Sequence, residues 1–278
     1  METVTNQRID EHRAVLNKSQ KVVIKIGTSS LMYESGGINL KRIHKLSEII
    51  SDLMNEGRDV ILVSSGAIGV GVKMLRLEQK PSTVEGRQAV AAVGQVDLMK
   101  LYSMAFADYG YSVGQILLTK NILDNEESKN NSVNTFTQLL KMRIVPIVNE
   151  NDTVAVDEIK FGDNDSLSYL VATINNADLL IILTDIDGFY SNNPNEDPNA
   201  VLYHTIEDLS EKIEEAAGGA GSKLGTGGML TKVHASRLAA SKGTNAVIAN
   251  GNHPEIIYDI LEGKDVGTLF VAQGKDDN

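Results

Sequence analysis

The feature that most constrains the fold is a repeated exchange of short, β-branched apolar runs with stretches whose apolar residues recur every three or four positions. "KVVIKIG", Lys21 to Gly27, is the first such run and reads as a strand covered on both faces. Leu40, Ile43, Leu46, Ile50 and Leu53 then follow at helical spacing as far as Gly57, which ends the helix. The strand "RDVILVSSG" comes next, then a helix near Val84 to Tyr109, the strand "YSVGQILLT", a helix near Val133 to Met142 and the strand "RIVPIVNEND". "DTVAVDEIKFGDND" breaks the rhythm with polar and apolar residues in alternation, as in a small hairpin over a site. The exchange resumes with a helix from about Asp165, the strand "ADLLIILTD", a helix near Ile206 to Ala217, and the strands "TNAVIANG" and "VGTLFVA" around a short helix. Units of this kind predict an α/β fold, a three-layer αβα sandwich around a central, mainly parallel sheet.

Composition narrows the partners. The chain has 278 residues, 26 Lys plus Arg against 37 Asp plus Glu, and a net charge of -11, so its long-range field repels nucleic acid and anionic membrane surfaces. Zero cysteines exclude a disulfide scaffold, a thiolate metal site and a cysteine nucleophile. The opening "METVTNQRIDEHRAVLNKSQ" lacks the apolar centre of a secretory signal, and no later stretch approaches the roughly 18 apolar residues of a membrane span. The expectation is a soluble cytoplasmic protein: a polar extension over 1–20, one domain over 21–273 and a polar tail over 274–278.

In open α/β sheets, ligands bind outside the carboxyl ends of the strands, so the residues that follow each run are the candidates. Lys25 lies within the first run, where an ammonium is costly to bury unless an anion meets it; the alternative is a sheet-edge lysine that reaches water. "SSGAIGVG" joins Ser65 and Gly66 to a helix start, which either receives an anion or is a plain tight turn. "NEND" and "FGDND" crowd Asn149, Glu150, Asn151, Asp152, Asp163, Asn164 and Asp165 around one hairpin. Turn chemistry alone favours Asn and Asp, but Asn also both donates and accepts, which suits an amino acid's ammonium and carboxylate. "GTGGMLTK", Gly225 to Lys232, is not a P-loop, whose lysine directly follows its last glycine. Its glycines expose amides to a polyphosphate, and Lys232 then reaches the transferred phosphate from the side opposite Lys25; a flexible surface loop is the alternative. His12, His44, His204, His234 and His253 have no metal-ligand spacing, and neither a nucleophile elbow nor a dinucleotide fingerprint follows any strand.

With those residues in view, the chain resembles the amino acid kinase family, and within it the branch that phosphorylates L-glutamate. "VVIKIGTSSL", "VSSGAIGVG", "AAVGQ", "GQILLT", "IVPIVNENDTVA", "EIKFGDNDSLS", "LLTDIDGFY", "GTGGMLTK" and "VGTLF" match in order from about Lys21 to Gln273. The resemblance implies ATP-dependent phosphorylation of the γ-carboxylate of L-glutamate to γ-glutamyl phosphate, the first step of proline synthesis, with Mg²⁺, feedback inhibition by proline, and a homodimer or homotetramer. It places acceptor binding on Ser65, Gly66, Asp152 and Asn164 with Asn149 close by. ATP binding falls on Thr184 and Asp185 and on Thr226, Gly227, Gly228, Met229 and Lys232. The catalytic lysines fall on Lys25 and Lys232, and the aspartate that orients them on Asp165; metal ligands are not assigned. Many members carry a C-terminal PUA-type domain, whereas this sequence ends soon after "VGTLFVAQGKDDN" and resembles the short form.

A glutamate carboxylate, with a reference pKa of about 4.3, is ionised at neutral pH and needs no general base. That accords with a site without histidine, where alignment and charge neutralisation by Lys25, Lys232 and Mg²⁺ promote the transfer. The rival readings are a kinase of the same fold acting on acetylglutamate or aspartate, and a non-catalytic amino acid sensor. The first is separated by a substrate panel, and the second by the absence of ATP turnover.

Overall fold

The computed structural model describes residues 11–119, 125–154, 164–194, 196–217 and 228–274. In chain order the elements are β1 (Lys21–Ile26), α1 (Thr28–Leu31), α2 (Leu40–Asn55), β2 (Asp59–Ser64), α3 (Ala67–Met74), α4 (Val84–Ala107), β3 (Val113–Leu118), α5 (Glu126–Lys141) and β4 (Val145–Glu150). They continue with α6 (Asn164–Ile174), β5 (Leu179–Thr184), β6 (Thr205–Ile206), α7 (Lys212–Ala217), α8 (Met229–Ser241), β7 (Asn245–Asn250), α9 (Ile256–Leu261) and β8 (Thr268–Phe270). The eight strands form one sheet in the order β3-β4-β2-β1-β5-β7-β8-β6.

Side-chain alternation along each strand explains the two cores. Val22, Ile24 and Ile26 of β1 face the layer of α2, α4 and α9, where they meet Leu46, Ile50, Leu98, Phe106 and Ile257. Val23 faces the opposite layer, with Leu167 and Val171 of α6 and Val233 and Ala239 of α8. Lys25 follows Val23 by two, so the same period turns it toward α6 and α8; Thr184, two beyond Ile182 of β5, is turned the same way. β1 pairs in parallel with β2 on one side and β5 on the other, so the chain reverses its direction of travel across the sheet at β1. The carboxyl end of β1 is therefore a switch point, where an open α/β sheet leaves a crevice.

Close backbone approach supports one wall of that crevice. A Cβ on Gly94 of α4 would lie 1.8 Å from the carbonyl oxygen of Ala67, and one on Gly71 of α3 would lie 2.1 Å from that of Val90. Gly66 has φ 106°, a left-handed conformation that a side chain strains, and it turns β2 into α3. The two helices thus pack nearly backbone to backbone, which brings α4 close to the ends of β2 and β4.

Several expectations need correction. Ile206 belongs to β6, and the helix expected from there to Ala217 begins only at Lys212. The helix expected from Val133 begins at Glu126, because Asn125 caps it by accepting from Ser128 N at 2.8 Å and Glu126 and Glu127 favour its first turn. Its first half is polar, so apolar periodicity could not reveal it. β7 and β8 run antiparallel, which periodicity does not report. The hairpin expected over Asp152 to Asp165 lies, for residues 155–163, outside the described residues.

Part of the N-terminal stretch is built into the core. Leu16 joins the α2 side. Arg13 is fully buried and donates to the carbonyls of His204 (2.7 Å), Val266 (2.8 Å), Lys264 (3.1 Å) and Gly267 (3.2 Å), with Asp265 at 3.2 Å. These carbonyls flank β6 and β8, so one side chain ties together the far edge of the sheet. Among the described residues, no helix is long and apolar enough to cross a membrane.

Candidate active site

Lys25, from the middle of the sheet, and Lys232, from the first turn of α8, meet on one carboxylate. Asp165, the second residue of α6, is fully buried; its Oδ1 pairs with Lys25 Nζ and its Oδ2 with Lys232 Nζ at 3.1 Å. Thr231 Oγ1 lies 2.8 Å from the same Oδ2. Burial works against ionisation of Asp165, yet the charges of Lys25 and Lys232 and the bonds from Lys25 and Thr231 outweigh it, and the carboxyl is held down to about 2. Among the described contacts, this cluster joins two cations to one anion, a locally positive charge at a place closed to water. That is a seat for an anion of higher charge, such as a phosphoryl group.

Because the folded value of Asp165 lies below its ordinary 3.8, the group contributes stability that is present above about pH 4 and is lost as pH falls toward 2. The loss attributable to this residue is about 2 kcal/mol. Urea unfolding at steps from pH 5 to pH 2 reads it as the part of the acid slope that Asp165→Asn removes; equal slopes in the two proteins would contradict it.

Beside the lysines lies a cavity of about 450 Å³ whose walls include Thr28, Ser65, Gly66, Asn149, Asp152 and Asn164. Ser65, Gly66, Asn149, Asp152 and Asn164, the acceptor-binding candidates, thus line one space. Glu150 and Lys80 also reach it. Asn164 and Asp165 are consecutive at the start of α6, so the helix turn directs one side chain to the cavity and the next to the lysines. The amide of Asn164 donates to Ser64 O at 3.0 Å and to Asn149 Oδ1 at 2.8 Å. Asn149 in turn donates to Gln95 Oε1 at 2.8 Å.

The nucleotide candidates divide between described and undescribed residues. Thr184 is buried at the carboxyl end of β5, and its hydroxyl donates to exposed Asp185 at 3.1 Å. Gly228 caps α8 with extended backbone, and Met229 opens the helix and packs on the α6 side of the core. Thr226 and Gly227, with Gly225, lie outside the described residues. Four of the histidines each stand within reach of a carboxylate away from the cavity: His12 by Glu207, His44 by Asp108, His204 by Asp265 and His234 by Glu214.

Sequence reasoning missed Gln95 and the carbonyl of Ser64 as parts of this site, and the contact of Thr231 with Asp165. Thr231 stands inside "GTGGMLTK", one position before Lys232, and could have been found there. Gln95 is one residue after Gly94 in "AAVGQ", and its partner Asn149 is 54 positions away, so no local pattern marks it.

Residues 20–250 match the sequence profile of the amino acid kinase family. Among curated proteins, glutamate 5-kinase of Clostridium perfringens (strain 13 / Type A) is 54% identical over 265 residues, which cover 94% of this chain and 98% of that protein. Glutamate 5-kinase of Enterococcus faecalis (strain ATCC 700802 / V583) is 51% identical over 94% of this chain and 98% of its own length. Among solved structures, carbamate kinase from Giardia lamblia bound to AMP-PNP superposes with a TM-score of 0.65 at 18% identity, over 92% of this chain and 100% of that one. UMP kinase from Bacillus anthracis gives 0.61 at 16% identity, over 94% and 97%. At those identities the structures speak for the fold alone, whereas the profile and the curated relatives carry the sequence itself: the chain belongs to the amino acid kinase family.

Proposed function

We propose that this protein transfers the γ-phosphoryl group of MgATP to the γ-carboxylate of L-glutamate, giving γ-glutamyl phosphate and ADP. The observation that carries the reading is the buried Lys25–Asp165–Lys232 arrangement beside a cavity lined by Asn149, Asp152 and Asn164. Relatives more than half identical over nearly their full length bear the name glutamate 5-kinase.

The acceptor carboxylate is its own nucleophile. One of its oxygens forms a bond to the γ-phosphorus while the bond to the β,γ-bridging oxygen breaks, and the electron pair leaves on ADP. No proton has to move, so the chain's task is alignment and charge. Lys25 and Lys232 face the transferred group from sheet and helix, and Asp165 holds both ammonium groups without touching the reacting atoms. Mg²⁺ bound with the nucleotide would add positive charge to that of Lys25 and Lys232. Among the described residues, no cluster of three or more His, Asp or Glu could cage an ion, and the lysines occupy Asp165. A magnesium ion carried on phosphate oxygens and water fits such a site. Thr184, Asp185 and the 226–229 segment hold the nucleotide. Cytoplasmic location, inhibition by proline and a homodimer or homotetramer belong to the same reading.

ADP release with MgATP, measured across L-glutamate, N-acetyl-L-glutamate and L-aspartate, tests the assignment. L-Glutamate is expected to exceed the other two in kcat/KM by about 100-fold, since a site with fixed hydrogen-bonding groups rejects acceptors that leave them unpaired. Hydroxylamine should trap the acyl phosphate as γ-glutamyl hydroxamate. Preference for another acid, or no release above background, would overturn the proposal.

A further inference from the structure

We infer that Gln95 is a positioning residue that holds the Asn149 amide in place at the acceptor cavity, by receiving one of its two N–H groups. The inference rests on the glutamate reading above and adds how the amino acid end of the acceptor is told apart.

The assignment starts from two backbone groups whose roles are unambiguous. Ser64 O can only accept, so Asn164 must turn its Nδ2 toward it. The backbone N–H of Glu150 can only donate, so Asn149 must turn its Oδ1 toward it, at 2.9 Å. These two requirements agree with each other, since Asn164 Nδ2 also donates to Asn149 Oδ1. An amide nitrogen has two hydrogens, and both of those on Asn164 are now committed. Only its Oδ1 is left for the cavity, as an acceptor. On Asn149 the oxygen takes two donors and one Nδ2 hydrogen goes to Gln95 Oε1, so the other hydrogen is left as a donor. The cavity therefore presents one acceptor and one donor side by side, the pattern that meets an α-ammonium and an α-carboxylate.

Of the three groups that fix this pattern from outside the asparagine pair, Ser64 O and Glu150 N are backbone. Gln95 is, among the described residues, the one side chain, and it secures the orientation that the other two already require. It is 8% exposed, held on α4, and its oxygen faces Asn149. Without an acceptor at that position, the Asn149 amide has a buried N–H with nothing to receive it. With a donor there, two donors face each other and the amide is driven out of register.

Three substitutions separate this role from simple packing. Gln95→Met keeps length and helix propensity but has no comparable acceptor. Gln95→Glu keeps the acceptor, and Gln95→Lys offers only donors. The measurement is kcat/KM for L-glutamate and for glutarate, which has both terminal carboxylates but no ammonium, with the KM for MgATP and a thermal melt for each protein.

Gln95→Met is expected to lower kcat/KM for L-glutamate about tenfold, the scale of one lost hydrogen bond that leaves a buried group unpaired. Glutarate should lose much less, so the preference for glutamate over glutarate falls about tenfold. Gln95→Lys should fall further, and Gln95→Glu should restore the preference. A general packing defect would lower both acceptors equally and would not be rescued by Glu. Equal losses on both acceptors, or the same preference in Gln95→Met as in the unaltered protein, overturn the inference while leaving the glutamate reading intact. If Gln95→Met does not fold, the contrast of Gln95→Glu with Gln95→Lys decides in the same way. Absence of glutamate turnover in the unaltered protein overturns the reading itself, and this inference with it.

Discussion

Lys232→Ala and Lys25→Ala are each expected to lower kcat by about 10²- to 10³-fold, the loss that follows removal of one preorganised partner for charge developing in the transition state. The KM for MgATP should shift only a few-fold, because the nucleotide keeps its other contacts and the lysines act on the group in flight. The argument is electrostatic. Two anions, the carboxylate and the terminal phosphate, must approach in a space where Lys25 and Lys232 are nearly buried and their fields little screened. Because both lysines share Asp165, the two losses should not add: removing the first frees the carboxylate to bind the second more tightly, which blunts what the second can do. Steady-state ADP release by both single variants and the double variant provides the test. Turnover within tenfold of the unaltered protein in either single variant would take that lysine out of the reaction.

Asp165→Asn is expected to cost about 3–5 kcal/mol of folding stability, the usual effect of deleting one partner from a buried ionic group. The amide matches the carboxylate in shape but brings N–H donors toward ammonium groups, and the two cations lose the carboxylate they share. Chloride or phosphate should restore part of the loss, since an anion drawn to the two lysines supplies some of the charge that the carboxylate did. Urea denaturation with and without 50–100 mM phosphate, a range of ordinary laboratory buffers at about physiological ionic strength, measures both effects. A change under about 1 kcal/mol would mean that the lysines reach water and that the seat for the phosphoryl group is far less dry than their burial indicates.

How much of this was legible in the sequence follows from the range of each interaction. β1, β2, β4 and β5 were visible because strands covered on both faces are continuous apolar runs. Lys25 stood out for the same reason, as a charge within such a run, and the period of two that buries Val23 also sets the side from which Lys25 projects. The convergence of Lys25 and Lys232 on Asp165 was placed by resemblance; an ion pair that spans 67 positions leaves no local trace. The polar half of α5, the antiparallel β8 and the hold of Arg13 on the far edge were not legible. Each depends on capping, on strand pairing or on backbone carbonyls rather than on apolar spacing. Nothing in the sequence around Gly94 marks its packing role. Its reason is the 1.8 Å between its missing Cβ and Ala67 O, which is a property of two helices and not of one.

The adjacency of Asn164 and Asp165 has a consequence for how such a chain can change its diet. One peptide unit joins a residue that lines the cavity to the residue that anchors both ammonium groups, so neither can shift without dragging the other. That side of the crevice is mechanically frozen. Room for a longer, shorter or differently shaped acid is more easily made elsewhere in the cavity wall, among Thr28, Met32, Ile68 and Val72, where no residue is bound to the charge cluster among the described contacts. Divergence of acceptor choice on this scaffold is thus steered away from that shared peptide.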